Sequence, residues 1–202
     1  MIDEKSILMR PGSQSNALRQ LVGKLPDRHD MIGAEIGSYI GESAEIFAQS
    51  GKFKKFYCID PWKAGYDPSD IASNRGCFDE VEATFDARAA KYPIIEKVKM
   101  TSSQAAARFS RSYLDFVYID GNHTYCAVKA DLRAFIPKVK PGGFVGGHDY
   151  GWVGFGGSIE CAVLEELGLP EIFDDGNWLI QKPPPPAIIN FWRDVFNRLL
   201  GI

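Results

Sequence analysis

The stretch Gly33-Ala34-Glu35-Ile36-Gly37-Ser38-Tyr39-Ile40-Gly41-Glu42-Ser43 decides the fold of this chain. It begins inside an apolar run, Met31–Ile36, that reads as a buried strand ended by Gly37. It ends where Ser43–Ser50 reads as a helix, stopped by Gly51. Between them lies a tight glycine turn. Gly37 can take backbone angles closed to other residues, and Gly41 would let a ligand approach the main chain. Asp60 lies about 20 residues further on, at the end of a second apolar run, Phe56–Ile59. That distance suits a carboxylate on the hydroxyls of an adenosine ribose.

The spacing of the turn separates two cofactors. A dinucleotide loop reads GxGxxG and sets a helix N-terminus against a pyrophosphate. This turn reads ExGxxxG, with Tyr39 where a second close glycine would be wanted and with Glu42 placed to repel a phosphate. S-adenosylmethionine (SAM) has no phosphate and carries an ammonium group, which an acidic strand end at Glu35 tolerates. Taken alone, the glycines are equally compatible with a structural turn that binds nothing. Asp60 and the order of the surrounding elements are what point to SAM.

Outward from the turn, strand-like runs alternate with helical patterns. Residues 15–24 place Ala17, Leu18, Leu21 and Val22 on one helical face. Residues 74–91 predict a helix, Ile95–Met100 a third strand, and Gln104–Phe109 a helix. Leu114–Ile119 predicts a strong fourth strand, 124–136 a helix ended by Pro137, and Phe144–Gly147 a fifth strand after the turn Pro141-Gly142-Gly143. A helix at Ile159–Leu167 and a hairpin pairing Glu171–Phe173 with Trp178–Gln181 complete the series. This order predicts an α/β, Rossmann-like, doubly wound sheet with helices on both faces. The body, residues 1–182, forms one domain. Residues 183–202 follow as a proline-rich linker, Pro183–Pro186, and an amphipathic helix at Ile188–Leu200, which packs on the body, forms a homodimer contact or covers the active site as a lid.

Composition excludes several partners. The chain has 202 residues and a formal net charge of −3, with no basic footprint for nucleic acid or an anionic membrane. No signal-like or membrane-spanning run is present, so the expected compartment is the cytoplasm. The four cysteines lack zinc-site spacing, and Cys58 and Cys126 read as buried thiols.

The motifs GAEIGSYIGES, FYCIDPW, LDFVYIDGNHTY and PGGFVGGHDY resemble, in order, those of class I SAM-dependent methyltransferases. They are most similar to the small bacterial enzymes of the macrocin O-methyltransferase type, and more distantly to catechol O-methyltransferases. The resemblance spans about residues 31–181 and implies seven strands with the last antiparallel. It implies that Glu35, Gly37, Ser38, Tyr39, Gly41 and Ser43 line the methionine and ribose side. It puts Asp60 on the ribose hydroxyls, with Pro61 and Trp62 beside the adenosine and Ser102, Ser103 and Gln104 near the adenine. Trp62 reads equally as core, and Ser103 equally as a helix cap.

Asp120 and His123 follow the fourth strand, and His148 and Asp149 follow the fifth. Ligands of open parallel sheets sit at the carboxyl ends of strands, so these groups converge on the edge that carries the glycine turn. A hydroxyl acceptor must lose a proton, and a histidine suits that task. A divalent metal would lower the acceptor's pKa. The catechol enzymes place a metal-binding Asp at Asp120, an Asp-Asn pair at His148-Asp149 and a lysine base at His123. The resemblance therefore implies a metal, Mg²⁺ or Mn²⁺, at Asp120, His148 and Asp149, with His123 as base. Without a metal, Asp120 would fix the SAM ammonium and His148-Asp149 would act as the acid–base pair. The glycine- and aromatic-rich stretch 151–157 and the segment Asp67–Arg75 are placed to cover the pocket, with Tyr66, Tyr150, Trp152 and Phe155 as an acceptor wall. The expected activity is O-methylation of a small molecule such as a sugar, natural product or phenol. An NAD-type oxidoreductase and a non-catalytic SAM-binding module are the alternatives.

Overall fold

The computed structural model describes residues 12–75 and 77–184. The expected helix at Ile188–Leu200 and the contact assigned to it lie outside the described residues. The elements run α1 (Gly12–Lys24), β1 (Met31–Ile36), α2 (Glu42–Gln49), β2 (Phe53–Asp60), α3 (Ile71–Arg75), α4 (Phe78–Ala89) and β3 (Ile95–Lys99). They continue with α5 (Ser102–Ala106), β4 (Leu114–Ile119), α6 (Tyr125–Phe135), β5 (Val139–Gly147), α7 (Ser158–Glu166), β6 (Glu171–Ile172) and β7 (Trp178–Gln181).

The seven strands form one sheet in the order β3-β2-β1-β4-β5-β7-β6. The first five neighbours pair in parallel, and β7 runs antiparallel to both β5 and β6. Strand order reverses between β1 and β4, and there the crevice at the carboxyl ends of the strands opens. Because the strands are covered on both sides, two apolar cores form. One joins α1, α2 and α4 to the sheet through Leu21, Phe47, Phe56, Phe85, Phe116 and Tyr118. The other joins α5, α6 and α7 through Ala105, Leu132, Phe135, Val145 and Ala162. Phe47 shows how tightly the first core is built: it is fully buried and stacks on Phe56 at 4.7 Å.

Three local expectations change. The single helix over 74–91 is two helices, because Cys77 is extended (φ −76°, ψ 97°) and starts α4 afresh. The Pro141-Gly142-Gly143 turn lies inside β5: the register shifts between Leu114 and Phe116, and Gly142 absorbs the irregularity at φ +77°. The helix after β3 starts at Ser102, since Thr101 and Gln104 form a reciprocal capping box. Cys58 is buried as expected, whereas Cys126 on α6 is exposed. Among the described residues, no helix is long and apolar enough to cross a membrane.

Candidate active site

The turn after β1 is built by main-chain contacts. The amide of Gly37 donates to Ile59 O (2.8 Å), and the amide of Asp120 donates to Ile36 O (2.8 Å), which ties the ends of β1, β2 and β4 together. Gly37 sits at φ +87°, and a Cβ there would lie 2.0 Å from Asp120 O. Only glycine fits this close approach of two chains. Gly41 is also left-handed (φ +81°), but its missing side chain faces the Phe85 ring at 2.9 Å. It admits the neighbouring helix on one side while its main chain stays on the cavity wall.

Asp60 closes the turn from β2. Its carboxylate accepts from the amides of Tyr39 (3.0 Å) and Trp62 (2.6 Å). Burial raises its pKa, and the amides of Tyr39, Trp62 and Ser38 hold it back. The three amides leave the carboxylate an acceptor site for a hydroxyl, as a ribose-binding acid requires.

A cavity of about 410 Å³ opens over this edge, within the range of small-molecule sites. Gly37, Ser38, Tyr39, Gly41, Ser43, Asp60, Pro61 and Ser102 line it, as do Asp120, His123, His148 and Asp149. Glu35 is fully buried in β1, outside the wall. Trp62 is also core: it packs on Phe85 at 4.7 Å and donates from Nε1 to Tyr39 O (2.9 Å). Gln104 is engaged in the capping box and Ser103 hydrogen-bonds the cap Thr101 (3.1 Å), so of these three residues only Ser102 reaches the main cavity. Tyr66, Trp152 and Phe155 line the cavity as expected, and Tyr150 does not. Lys63 is the only lysine or arginine on the wall among the described residues. An acidic lining suits a cationic sulfonium and ammonium and disfavours a pyrophosphate, so the residues present fit SAM.

At the other end of the cavity stands His123. Its Nδ1 lies 2.6 Å from Asp67 Oδ2, and its Nε2 lies 2.9 Å from Asp149 and 3.7 Å from Asp120. Phe155 stacks on the ring at 4.2 Å. Burial works against the charged ring, but the carboxylates of Asp120, Asp149 and Asp67 outweigh it and push His123 up to about 12. Burial likewise opposes ionisation of Asp67, yet His123 and Ser69 draw its carboxyl well below the usual range. Three carboxylates around the ring favour its charged form when no cation is bound, and Asp67 is the partner of Nδ1 whether His123 serves as a base or as a ligand.

Donor atoms of Asp120, His123 and Asp149 lie within 4.8 Å of one another. His148, expected among the metal ligands, places Nδ1 3.2 Å from Asp149 and 3.8 Å from Asp120, and Nε2 3.9 Å from Asp175. Asp149 itself is left-handed at φ +61°, a conformation that costs a non-glycine residue about 1–3 kcal/mol and is concentrated at functional sites.

Sequence reasoning missed the role of Asp67 and did not single out Asp131. Asp67 reaches His123 from a loop 56 positions away, and no local pattern marks it. Asp131 did leave a signal: it is an acid on the apolar stripe Val128, Leu132 and Phe135 of α6.

Comparison with known proteins agrees with this geometry. The profile of a methyltransferase domain family matches residues 34–150. The chain resembles cofactor-bound Rv0187 from MTB (TM-score 0.59, 13% identity), covering 90% of this chain and 87% of that one. It resembles phosphoethanolamine N-methyltransferase 1 of Haemonchus contortus (TM-score 0.50, 14% identity, 73% of this chain), of which it spans only 28%. It spans 54% of an S-adenosylmethionine dependent methyltransferase from Listeria monocytogenes (TM-score 0.47, 14% identity, 68% of this chain). At such identities the first two of these structures speak for the fold alone. The sequence matches none of the curated proteins. With the profile covering more than half of the chain and the sheet order reversing over the glycine turn, the chain belongs to the methyltransferase-domain family.

Proposed function

We propose that this enzyme transfers the methyl group of SAM to a hydroxyl of a small, neutral acceptor, with a divalent cation held by Asp120, His123 and Asp149. The carrying observation is the carboxylate of Asp67 on His123 Nδ1. A carboxylate on one ring nitrogen fixes the tautomer and turns the other nitrogen toward a metal, the usual arrangement behind a metal-binding histidine. His123 Nε2 faces Asp120 and Asp149, and two carboxylates with one imidazole suit Mn²⁺ better than Mg²⁺. A bound cation would supply Lewis-acid lowering of the acceptor hydroxyl's pKa.

The chain's own residues supply the positioning. Asp60 and the turn at Gly37–Ser43 would hold the donor, while Phe155 and Trp152 exclude water from the acceptor side. In-line displacement at a methyl group gains most from such orientation. Tyr66, Phe78, Trp152 and Phe155 on the wall favour an acceptor with an apolar or ring-shaped body, whether phenol, sugar or natural product. The excess of wall carboxylates disfavours phosphorylated acceptors and nucleic acid. The macrocin-type motif set supports the same class.

The test combines calorimetry with SAM and a mass-spectrometric acceptor screen scored as a gain of one methyl. Activity should fall after chelation and return with Mn²⁺ or Mg²⁺. Full activity in the chelated enzyme removes the cation from the mechanism, and absence of SAM binding removes the whole reading.

A further inference from the structure

Two short loops border the acceptor end of the cavity, 65–74 after β2 and 151–157 after β5. They meet at His123, where Asp67 takes Nδ1 at 2.6 Å and Phe155 stacks on the ring face. Both loops are held in shape. In the first, the amides of Asp67 and Gly65 donate to Ser73 Oγ and Ser73 O, each at 2.8 Å. The side-chain amide of Asn74 donates to the carbonyls of Asp67, Pro68 and Asp70. In the second, the Trp152 indole lies over Gly154, where a Cβ would stand 2.6 Å from Nε1.

These ordered loops nevertheless turn apolar side chains outward. Val153 is 92% exposed, Ile71 62% and Trp152 58%. With Tyr66 they make up half of the large apolar side chains that are exposed among the described residues. Scattered exposed apolar residues are ordinary, but a concentration at the mouth of a cavity marks a binding surface. Polarity changes in step along the acceptor end. Asp120, His123 and Asp149 stand inside, Tyr66, Trp152 and Phe155 follow on the wall, and Ile71 and Val153 lie beyond it. The cavity of about 410 Å³ must also hold the donor, which leaves room for little more than the reacting end of an acceptor.

We propose that the acceptor is a neutral amphiphile in free solution, whose hydroxyl-bearing head enters the cavity toward His123 and whose apolar chain stays outside on Ile71, Trp152 and Val153. This rests on the methyl-transfer reading of the cavity. Ile71 and Val153 are then specificity-determining residues that touch the chain and not the reacting atoms. Charge at the rim favours a dissolved molecule over a membrane surface. Asp67 and Asp70 line this end, and Lys63 is the only lysine or arginine on the cavity wall among the described residues, so an anionic bilayer meets little basic charge here.

Calorimetry on protein saturated with S-adenosylhomocysteine tests this without turnover. The probes are two series of neutral alcohols, 4-alkylphenols and alkyl glucosides, each running from ethyl to octyl and kept below micelle-forming concentrations. Affinity in at least one series should rise about two- to fourfold per added methylene, as for a chain that is partly to fully buried. In Ile71→Ser combined with Val153→Ser the rise should fall below about 1.5-fold per methylene, with the ethyl compound and S-adenosylhomocysteine bound within about twofold of wild type. Both positions are exposed, so the double variant should melt with wild type. Affinity that does not grow with chain length, binding of neither series, or a slope that survives in the double variant overturns the proposal. So does cosedimentation with vesicles of phosphatidylcholine, alone or with phosphatidylserine, which would place the acceptor in a bilayer. Protein that does not bind S-adenosylhomocysteine overturns the methyl-transfer reading itself, a result distinct from these.

Discussion

The two halves of the cavity are built differently. The donor half is mostly main chain: the amides of Gly37, Tyr39 and Trp62 and the carbonyls of Ile36 and Ile59 knot three strand ends around Asp60. The acceptor half is side chain: Asp67, Asp120, His123 and Asp149 meet from three separate loops, and His123 holds the group together. Main-chain geometry depends on a few glycines and on sheet order. Side-chain geometry depends on which distant loops happen to meet. The first should be broken by sterics and the second by changes of charge.

The largest effect should come from Gly37→Ala. The added carbon would lie 2.0 Å from a backbone oxygen, at φ +87°, where nothing can rotate away. A loss of more than about 4 kcal/mol is expected, a large share of a domain's stability. Gly51→Ala is the control. It has a similar φ of +69° but open space around it, so it should lose only about 1–2 kcal/mol. Denaturant midpoints measure both. Equal losses would mean that the ends of β1 and β4 can spread, and that the donor half is less rigid than its contacts imply.

Asp131 is a buried acid on the cavity wall, and pH exposes it. Its carboxyl titrates near 6 in the fold, against an ordinary value of 3.8. Between those values the folded state binds more protons than the unfolded state, so stability falls as pH rises through that window. At pH 8 the loss reaches about 3 kcal/mol. Melting temperatures of wild type and Asp131→Asn from pH 4 to pH 8 should diverge, with the variant the more stable at the high end. A variant less stable at pH 8 would mean that the ionised carboxylate supports the fold.

Legibility in the sequence followed the same division. The glycine turn, Asp60, the fourth strand Leu114–Ile119 and the closing hairpin were readable because each rests on neighbours within a few residues. The acids and histidines after β4 and β5 were readable as a cluster, because sheet topology sends strand ends to one edge. Their roles were not. Whether His123 serves as a base or as a ligand depends on its partner Asp67, which arrives through folding alone. Trp62 stayed open between core and adenosine for a similar reason: its neighbour Phe85 comes from α4, and only the packed structure shows that the ring turns inward.

Asp67→Asn tests the acceptor half directly. The amide keeps the shape of the side chain but no longer fixes the proton on His123 Nδ1, so methyl transfer should fall about 10- to 100-fold. SAM affinity by calorimetry should stay within about threefold, since the donor half does not use this contact. Unchanged turnover would leave His123 without its orienting partner and the two halves without a functional distinction.

The smallest effect should come from Trp62→Phe. The indole Nε1 donates to Tyr39 O at 2.9 Å, and the ring fills core against Phe85. Phenylalanine keeps an aromatic ring there and loses that hydrogen bond, which is worth about 1 kcal/mol. Because Trp62 lies off the cavity wall, SAM affinity should change less than about twofold, and the turn should be held by the two amides on Asp60. A tenfold loss of affinity with little change in melting temperature would return Trp62 to the adenosine. The donor half would then rely on a side chain where the contacts give it only main chain, and the contrast between the two halves would narrow.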